Sequence, residues 1–168
     1  MIHQELTDSA KPVRRYLFGL CHDWHLADEI SQQALLKAWE KRANYAGRAA
    51  VRTWLFTIAK NTWRDHLRRK KTAPKIDTLP PEDTAAETTP GPGQTASNSE
   101  FRLALNKALA LLPDEQREAL ALREGGNITF KQASEILSLP IATVKSRVRY
   151  ALEKLAAELK QFRHDLDE

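Results

Sequence analysis

Apolar residues recur along this chain at intervals of three and four, and no alternating apolar and polar run lasts long enough to make a strand. The pattern predicts an all-α protein. From Asp28 to Arg42, the residues Ile30, Ala34, Leu35, Ala38 and Trp39 fall on one stripe. Asp28 and Glu29 lie near its N-terminal end, where the helix dipole favours anions. Asn44 and Gly47 then carry turn chemistry. A second helix is expected from about Arg52 into Lys71, with Trp54, Leu55, Ile58, Ala59, Thr62 and Leu67 inward and Lys60, Arg64, Arg68 and Arg69 outward. Trp39 and Trp54 sit on the apolar stripes and read as core.

The second half starts with a helical run from Phe101 to Leu112 that stops at Pro113. Asp114 follows as a cap for EQREALALREGG, closed by Gly125 and Gly126. Thr129 caps FKQASEIL, Ser138, Leu139 and Pro140 turn the chain, and IATVKSRVRYALEKLAAEL restarts it. Two short amphipathic helices across a tight turn form a helix-turn-helix pattern. Setting Val144 at the core puts Val148, Ala151, Leu152 and Leu155 beside it, at 100° per residue. That choice turns Ala142, Ser146, Arg149 and Tyr150 away and leaves Thr143, Lys145 and Arg147 on the flanks. The outward set is small or cationic, so it fits a major groove, where Arg reads guanine and Ser bonds a base edge or a phosphate.

Between the halves, residues 72 to 100 hold five of the eight prolines, six threonines and almost no large apolar residues, so this stretch cannot bury enough surface to fold alone. It reads as a flexible, acidic Pro/Thr-rich linker between two small helical domains, the C-terminal one a helix-turn-helix. Charge sharpens the division. Residues 37 to 71 hold eleven Lys and Arg against two acids, a surplus larger than the whole chain's net +4. Positive charge gathered in this way is the footprint of a phosphate-backbone partner.

A length of 168 residues suits one ordinary domain or two small ones. The apolar runs fall well short of the ~20 residues needed to cross a bilayer, and the N-terminal stretch MIHQELTDSAKPVRR has no apolar core behind a basic start, as a secretory signal would. The expectation is a cytoplasmic protein without membrane insertion. Cys21 is the single cysteine, which excludes an internal disulfide framework.

Four strings, in order, resemble the extracytoplasmic-function sigma factors of bacterial RNA polymerase: LADEISQQALLKAWEKR, TWLFTIAKNTWRDHLRRKK, ALALLPDEQREALALR and ATVKSRVRYALEKL. The likeness covers about residues 10 to 71 and 101 to 160. It implies a region 2 domain over 1 to 71, the linker over 72 to 100 and a region 4 domain over 101 to 168. It implies that Glu29, Gln32, Gln33, Leu36 and Trp39 face the polymerase clamp helices, while region 4 meets the polymerase flap. It further implies that Tyr45, Arg48, Arg52, Lys60, Asn61, Trp63, Arg64, Arg68 and Arg69 hold the melted minus-ten strand, and that Thr143, Lys145, Ser146, Arg147 and Arg149 read the minus-thirty-five element. Extruded bases need an aromatic or polar pocket beside a cationic track, which the minus-ten set supplies. An anti-sigma factor and a stress or envelope response belong to the same expectation. Asp28-Glu29 reverses the commoner acid order, Gln33 stands where an acid is usual, FKQASE departs from the usual aromatic-acid-acid start, and Ala142 replaces a common Gly.

An enzyme finds little support, because Gly91 and Gly93 lie in the proline spacer and no glycine loop fits a phosphate. No cofactor or metal is expected. Cys21, His25 and Asp28 could share a helix face beside His22, yet no second ligand cluster accompanies them. The stronger rival is a conventional helix-turn-helix regulator that binds an operator without polymerase.

Overall fold

The structure, a computed structural model, describes residues 1–73 and 96–162, and residues 74–95 of the linker lie outside the described residues. Every element among the described residues is helical: α1 (Ile2–Cys21), α2 (Trp24–Lys41), a 3-10 turn (Arg42–Asn44), α3 (Val51–Thr72), α4 (Ala96–Leu111), α5 (Asp114–Leu120) running into a π-helical turn (Ala121–Gly125), α6 (Phe130–Leu137) and α7 (Ile141–Glu158).

In the first lobe α1 buries Leu6, Val13, Tyr16, Leu17 and Leu20, the three-and-four spacing of one helix face. His22 ends α1 in the left-handed region, and its N–H donates to the Phe18 carbonyl. Asp23 then starts α2, its carboxylate accepting from the N–H groups of His25 and Leu26 at 2.8 and 3.1 Å. Such a cap is worth about 1 kcal/mol. The helix therefore begins four residues before Asp28, and the first turn holds no acid. Asp28 instead pairs with Arg14 of α1 at 3.4 Å. The break at His22 and Asp23 also puts Cys21 on one helix and His25 and Asp28 on the next, so the imagined common face does not exist.

The side of α2 turned inward is built from Ala27, Ile30, Ser31, Ala34 and Ala38, all small except Ile30. Small residues let α1 and α3 approach closely, and they leave no room for an indole. Trp39 accordingly lies 41% exposed, which corrects its reading as core, and Trp54 is half-buried. In α3, Leu55, Ala59 and Thr62 are buried as expected, but Leu67 is exposed and Phe56 is fully buried.

In the second lobe α4 begins at Ala96, five residues before the expected Phe101. Arg117 of α5 reaches back to close α4, donating to the carbonyls of Leu109, Ala110 and Leu112 at 3.1, 2.8 and 2.8 Å. Pro113, not Asp114, occupies the N-cap of α5, and Asp114 pairs with Arg117 at 3.2 Å. The helical run does end at Gly125, with Gly126 as its C-cap, but without a left-handed glycine. Neither glycine has a positive φ, and the left-handed break falls on Asn127 at φ 51. The glycines are there for close approach. A Cβ on Gly125 would sit 2.9 Å from the Arg15 carbonyl oxygen, and one on Gly126 would sit 2.6 Å from the Phe56 ring.

Thr129 caps α6 as expected, in a capping box with Gln132. Ser138 in the left-handed region turns the chain, and the hydroxyl of Ser134 donates to the Leu139 carbonyl to tie the turn. Val144, Val148, Ala151 and Leu155 of α7 face inward, while Leu152 is 48% exposed. The lobes are in contact: α1 lies against the π-helical turn and α5, and α3 lies against α6.

His22 sits beside that contact with neither ring nitrogen bonded, and burial, then the nearby Arg117 charge, lowers its pKa. A lowered folded pKa means that the unfolded chain binds the proton more readily. The folded state is therefore destabilised as pH falls below about 6.5, the ordinary histidine value. Denaturant midpoints should drop between pH 7 and pH 5.5, and His22→Asn, which tolerates the same backbone, should flatten the drop. An equal pH slope in both proteins would place the titration elsewhere.

Candidate functional site

Three surfaces gather the residues singled out from the sequence. On the outer side of α2, Glu29, Gln32, Leu36 and Trp39 are exposed and Gln33 is half-buried, three and four residues apart on one face. Gln32 donates to Asp28 and Gln33 to Glu29, each one turn back, at 3.2 and 3.3 Å. Leu36 is 58% exposed beside Trp39. The Arg42 guanidinium covers one side of the Trp39 ring at 4.0 Å and His3 meets it edge-on at 5.2 Å. Open leucine and tryptophan within a polar frame have the anatomy of an interface core and rim.

The second surface is the loop after the 3-10 turn together with α3. Gly47 adopts φ +70, the turn conformation that its place in the sequence suggests. Tyr45 is half-buried: its hydroxyl donates to the Ala49 carbonyl and its ring lies 5.0 Å from Trp54. The ring therefore shapes the loop as well as flanking the cationic track. Arg48, Asn61, Arg64, Arg68 and Arg69 are exposed, and half-buried Trp63 stacks on His66 at 5.6 Å. Arg68 is partly held by Asp65 at 3.4 Å.

Lys60 departs from expectation. It is buried at 7% exposure, and its ammonium donates to the Ile136 carbonyl near the end of α6. Burial, followed by the neighbouring Arg64 charge, lowers its pKa. Arg52 likewise donates to the carbonyls of Gly126 and Asn127, and burial lowers its pKa too. Lys60 follows Phe56 by four residues and Thr53 by seven, so a second buried stripe runs along α3 beside the Leu55 stripe. Phe56 on that line was the signal for it. The cation at its end masked the pattern.

The third surface is the outer face of α7. Lys145 and Arg149 are exposed, and Thr143, Ser146 and Arg147 are half-buried. The Ser146 hydroxyl folds back to the Ala142 carbonyl at 2.9 Å. Arg147 leans toward α5 and pairs with Glu115 at 3.4 Å. Arg149 lies over Tyr150 at 5.0 Å, with Glu153 at 3.9 Å one turn on. The charges on this face hold one another ready without being buried.

Two family models match, sigma-70 region 2 over residues 7–73 and sigma-70 region 4 over residues 108–157. The chain is 30% identical over 161 residues to the ECF RNA polymerase sigma factor EcfG of Rhodopseudomonas palustris, covering 94% of this chain and 84% of that protein. It is 32% identical to the ECF RNA polymerase sigma factor RpoE of Cereibacter sphaeroides, over 77% of this chain and 70% of the relative. Among solved structures, the sigma factor RpoE crystallised with the anti-sigma factor NepR from Bartonella quintana aligns with a TM-score of 0.69 and 26% identity, over 94% of this chain and 96% of that one. CnrH in complex with the cytosolic domain of CnrY shares the fold at a TM-score of 0.63 and 22% identity.

Proposed function

We infer, because this chain belongs to the extracytoplasmic-function sigma factors of the sigma-70 family, that its three exposed surfaces divide the work of transcription initiation among them. A sigma factor directs initiation by binding core RNA polymerase and promoter DNA. The observation that carries the division of labour is the exposure of Leu36 and Trp39 on α2, a different helix from those that bear the cationic track and the recognition residues. Glu29, Gln32, Gln33, Leu36 and Trp39 form the face that docks on the polymerase clamp helices. Region 2 spans 1–71, the linker 72–100 and region 4 101–168.

Tyr45, Arg48, Asn61, Trp63, Arg64, Arg68 and Arg69 capture the melted minus-ten strand, joined by Arg52 and Lys60 once these are free of the second lobe. Thr143, Lys145, Ser146, Arg147 and Arg149 read the minus-thirty-five element, and region 4 meets the polymerase flap. Between the end of α3 and the start of α4 lie 23 residues, which extend to at most about 80 Å, more than the ~70 Å of two DNA turns, so one chain reaches both elements. The protein acts by binding, in the cytoplasm with polymerase, and the catalysis belongs to polymerase. No helix among the described residues is long and apolar enough to cross a membrane.

An anti-sigma factor is the expected inhibitor, since solved relatives were crystallised with such partners. A groove of about 530 Å³ at the junction of the lobes, lined by Phe18, Trp24, Leu105, Leu109 and Leu152 among others, offers an apolar seat for an amphipathic helix of that partner. The operator-binding regulator is not favoured, because both lobes match sigma-70 regions in order.

Replacing Glu29 with Lys and Gln32 with Ala should weaken association with core polymerase about tenfold, near 1.4 kcal/mol, with helicity and melting temperature unchanged. Unaltered affinity would remove α2 from the polymerase interface.

A further inference from the structure

An indole on an exposed helix face has several rotamers open to it unless its neighbours hold one, and at Trp39 two side chains do. Arg42 stands three residues after Trp39, and the backbone there is still helical at φ −57 and ψ −32. Side chains of a helix lean back toward its N-terminus, so the guanidinium returns over the turn it has just left. It lies over the Trp39 ring, 4.0 Å from the ring centre. Its Nη1 also donates to the Trp39 carbonyl, the same oxygen that accepts from the Arg42 N–H. That carbonyl belongs to the last turn of α2, where unsatisfied acceptors and the negative end of the dipole favour a cation. A planar guanidinium can bond the carbonyl and cover the ring at once.

His3 supplies a second support from α1. Its ring meets the indole edge-on, with 5.2 Å between centroids and 69° between planes, a favourable aromatic geometry. Neighbours place His3 in turn: Ile2 and Leu6 pack into the core, and the Thr7 hydroxyl donates to the His3 carbonyl at 3.0 Å. Between these supports Trp39 stays 41% exposed, and Leu36, three residues before it, is 58% exposed. The ring is held without being hidden.

We propose that Arg42 and His3 are positioning residues for polymerase binding: they lock the Trp39 indole in the orientation in which it enters the partner, so that docking does not have to order it. The inference rests on the assignment of α2 to the polymerase clamp helices. Tryptophan anchors carry a large share of the binding energy of an interface, and an anchor formed in advance avoids the cost of immobilising it on contact. Arg42 and His3 act through the indole, whereas Glu29 and Gln32 act by their own contacts.

The test is a double-mutant cycle on the full chain, read as dissociation constants for core polymerase. Trp39→Ala should weaken association about tenfold or more. Arg42→Ala should weaken it about fivefold and His3→Ala about twofold, yet neither should weaken it further once Trp39 is replaced by Ala. Fluorine NMR of the chain labelled with 5-fluorotryptophan gives a readout without polymerase. The Trp39 resonance, identified by its loss in Trp39→Phe, should move and narrow in Arg42→Ala and move in His3→Ala, while the other three tryptophan resonances stay in place.

An Arg42→Ala loss of the same size with and without Trp39 overturns the proposal, because Arg42 then meets polymerase itself. So does an unmoved Trp39 resonance, or an Arg42→Ala chain of wild-type affinity; if Trp39→Ala still weakens association, the docking reading survives alone. Trp39→Ala at wild-type affinity overturns the place of Trp39 in the docking face and this proposal with it. Should Arg42→Ala lose helicity, His3→Ala, on a different helix, decides by the same two measurements, and no coupling to Trp39 overturns the proposal.

Discussion

Phe56→Ala should lower the unfolding free energy by about 3–5 kcal/mol, the largest stability loss expected from a single truncation in this chain. The ring is fully buried, 5.5 Å from the ring of Tyr16, and in contact with Gly126. Removing it opens a cavity bounded by α1 and α3 on one side and by the turn after α5 on the other, with rigid backbone nearby to resist collapse. Leu67→Ala, at an exposed position on the same helix, should cost less than about 1 kcal/mol. Urea unfolding followed by circular dichroism separates the two variants. A Phe56→Ala midpoint close to that of Leu67→Ala would mean that the lobe contact contributes little to stability.

The second large effect is on sequence discrimination by α7. Arg149→Ala should cost on the order of 1–3 kcal/mol at one base pair of the minus-thirty-five element and relax preference there. Lys145→Ala should weaken all sequences alike and lower the salt slope by about one. The structure keeps both side chains exposed, and Glu153 and Tyr150 restrain Arg149 on the outward face. Transcription from promoter variants at several salt concentrations distinguishes the roles. If Arg149→Ala acts as a uniform salt-slope variant, the helix is rotated relative to the groove from the orientation assigned to it.

Much of this arrangement was legible in the sequence because it rests on local signals. Helical periodicity, the Thr129 cap, the Ser138 turn and the inward set Val144, Val148, Ala151 and Leu155 all follow from neighbours within a turn or two. Features set by the packing of one lobe on the other were not. Lys60 looks like a surface residue in any single-helix projection, and only the α6 carbonyl 76 residues away explains its burial. Gly125 and Gly126 do end the helix, but the sequence does not reveal that Arg15 and Phe56 press against them. Trp39 was misread as core for a related reason: its place on the stripe was right, but Ala34 and Ala38 bring the helices too close together to admit an indole. Asp28 likewise mimicked a helix start that Asp23 provides.

Capture of the melted strand by α3 and its preceding loop is the claim on which the function of the first lobe rests. Asn61 is its cleanest probe, because it is exposed, whereas Tyr45 also holds the loop through Ala49 and Trp54. The decisive measurement is permanganate reactivity of unpaired thymines with core polymerase and Asn61→Ala, on a promoter first identified by sequencing run-off transcripts. Duplex template is compared with one already mismatched across the minus-ten segment. Strand capture predicts about tenfold less opening on duplex and substantial recovery of transcription on the mismatched template, whereas equal defects on both templates would contradict it.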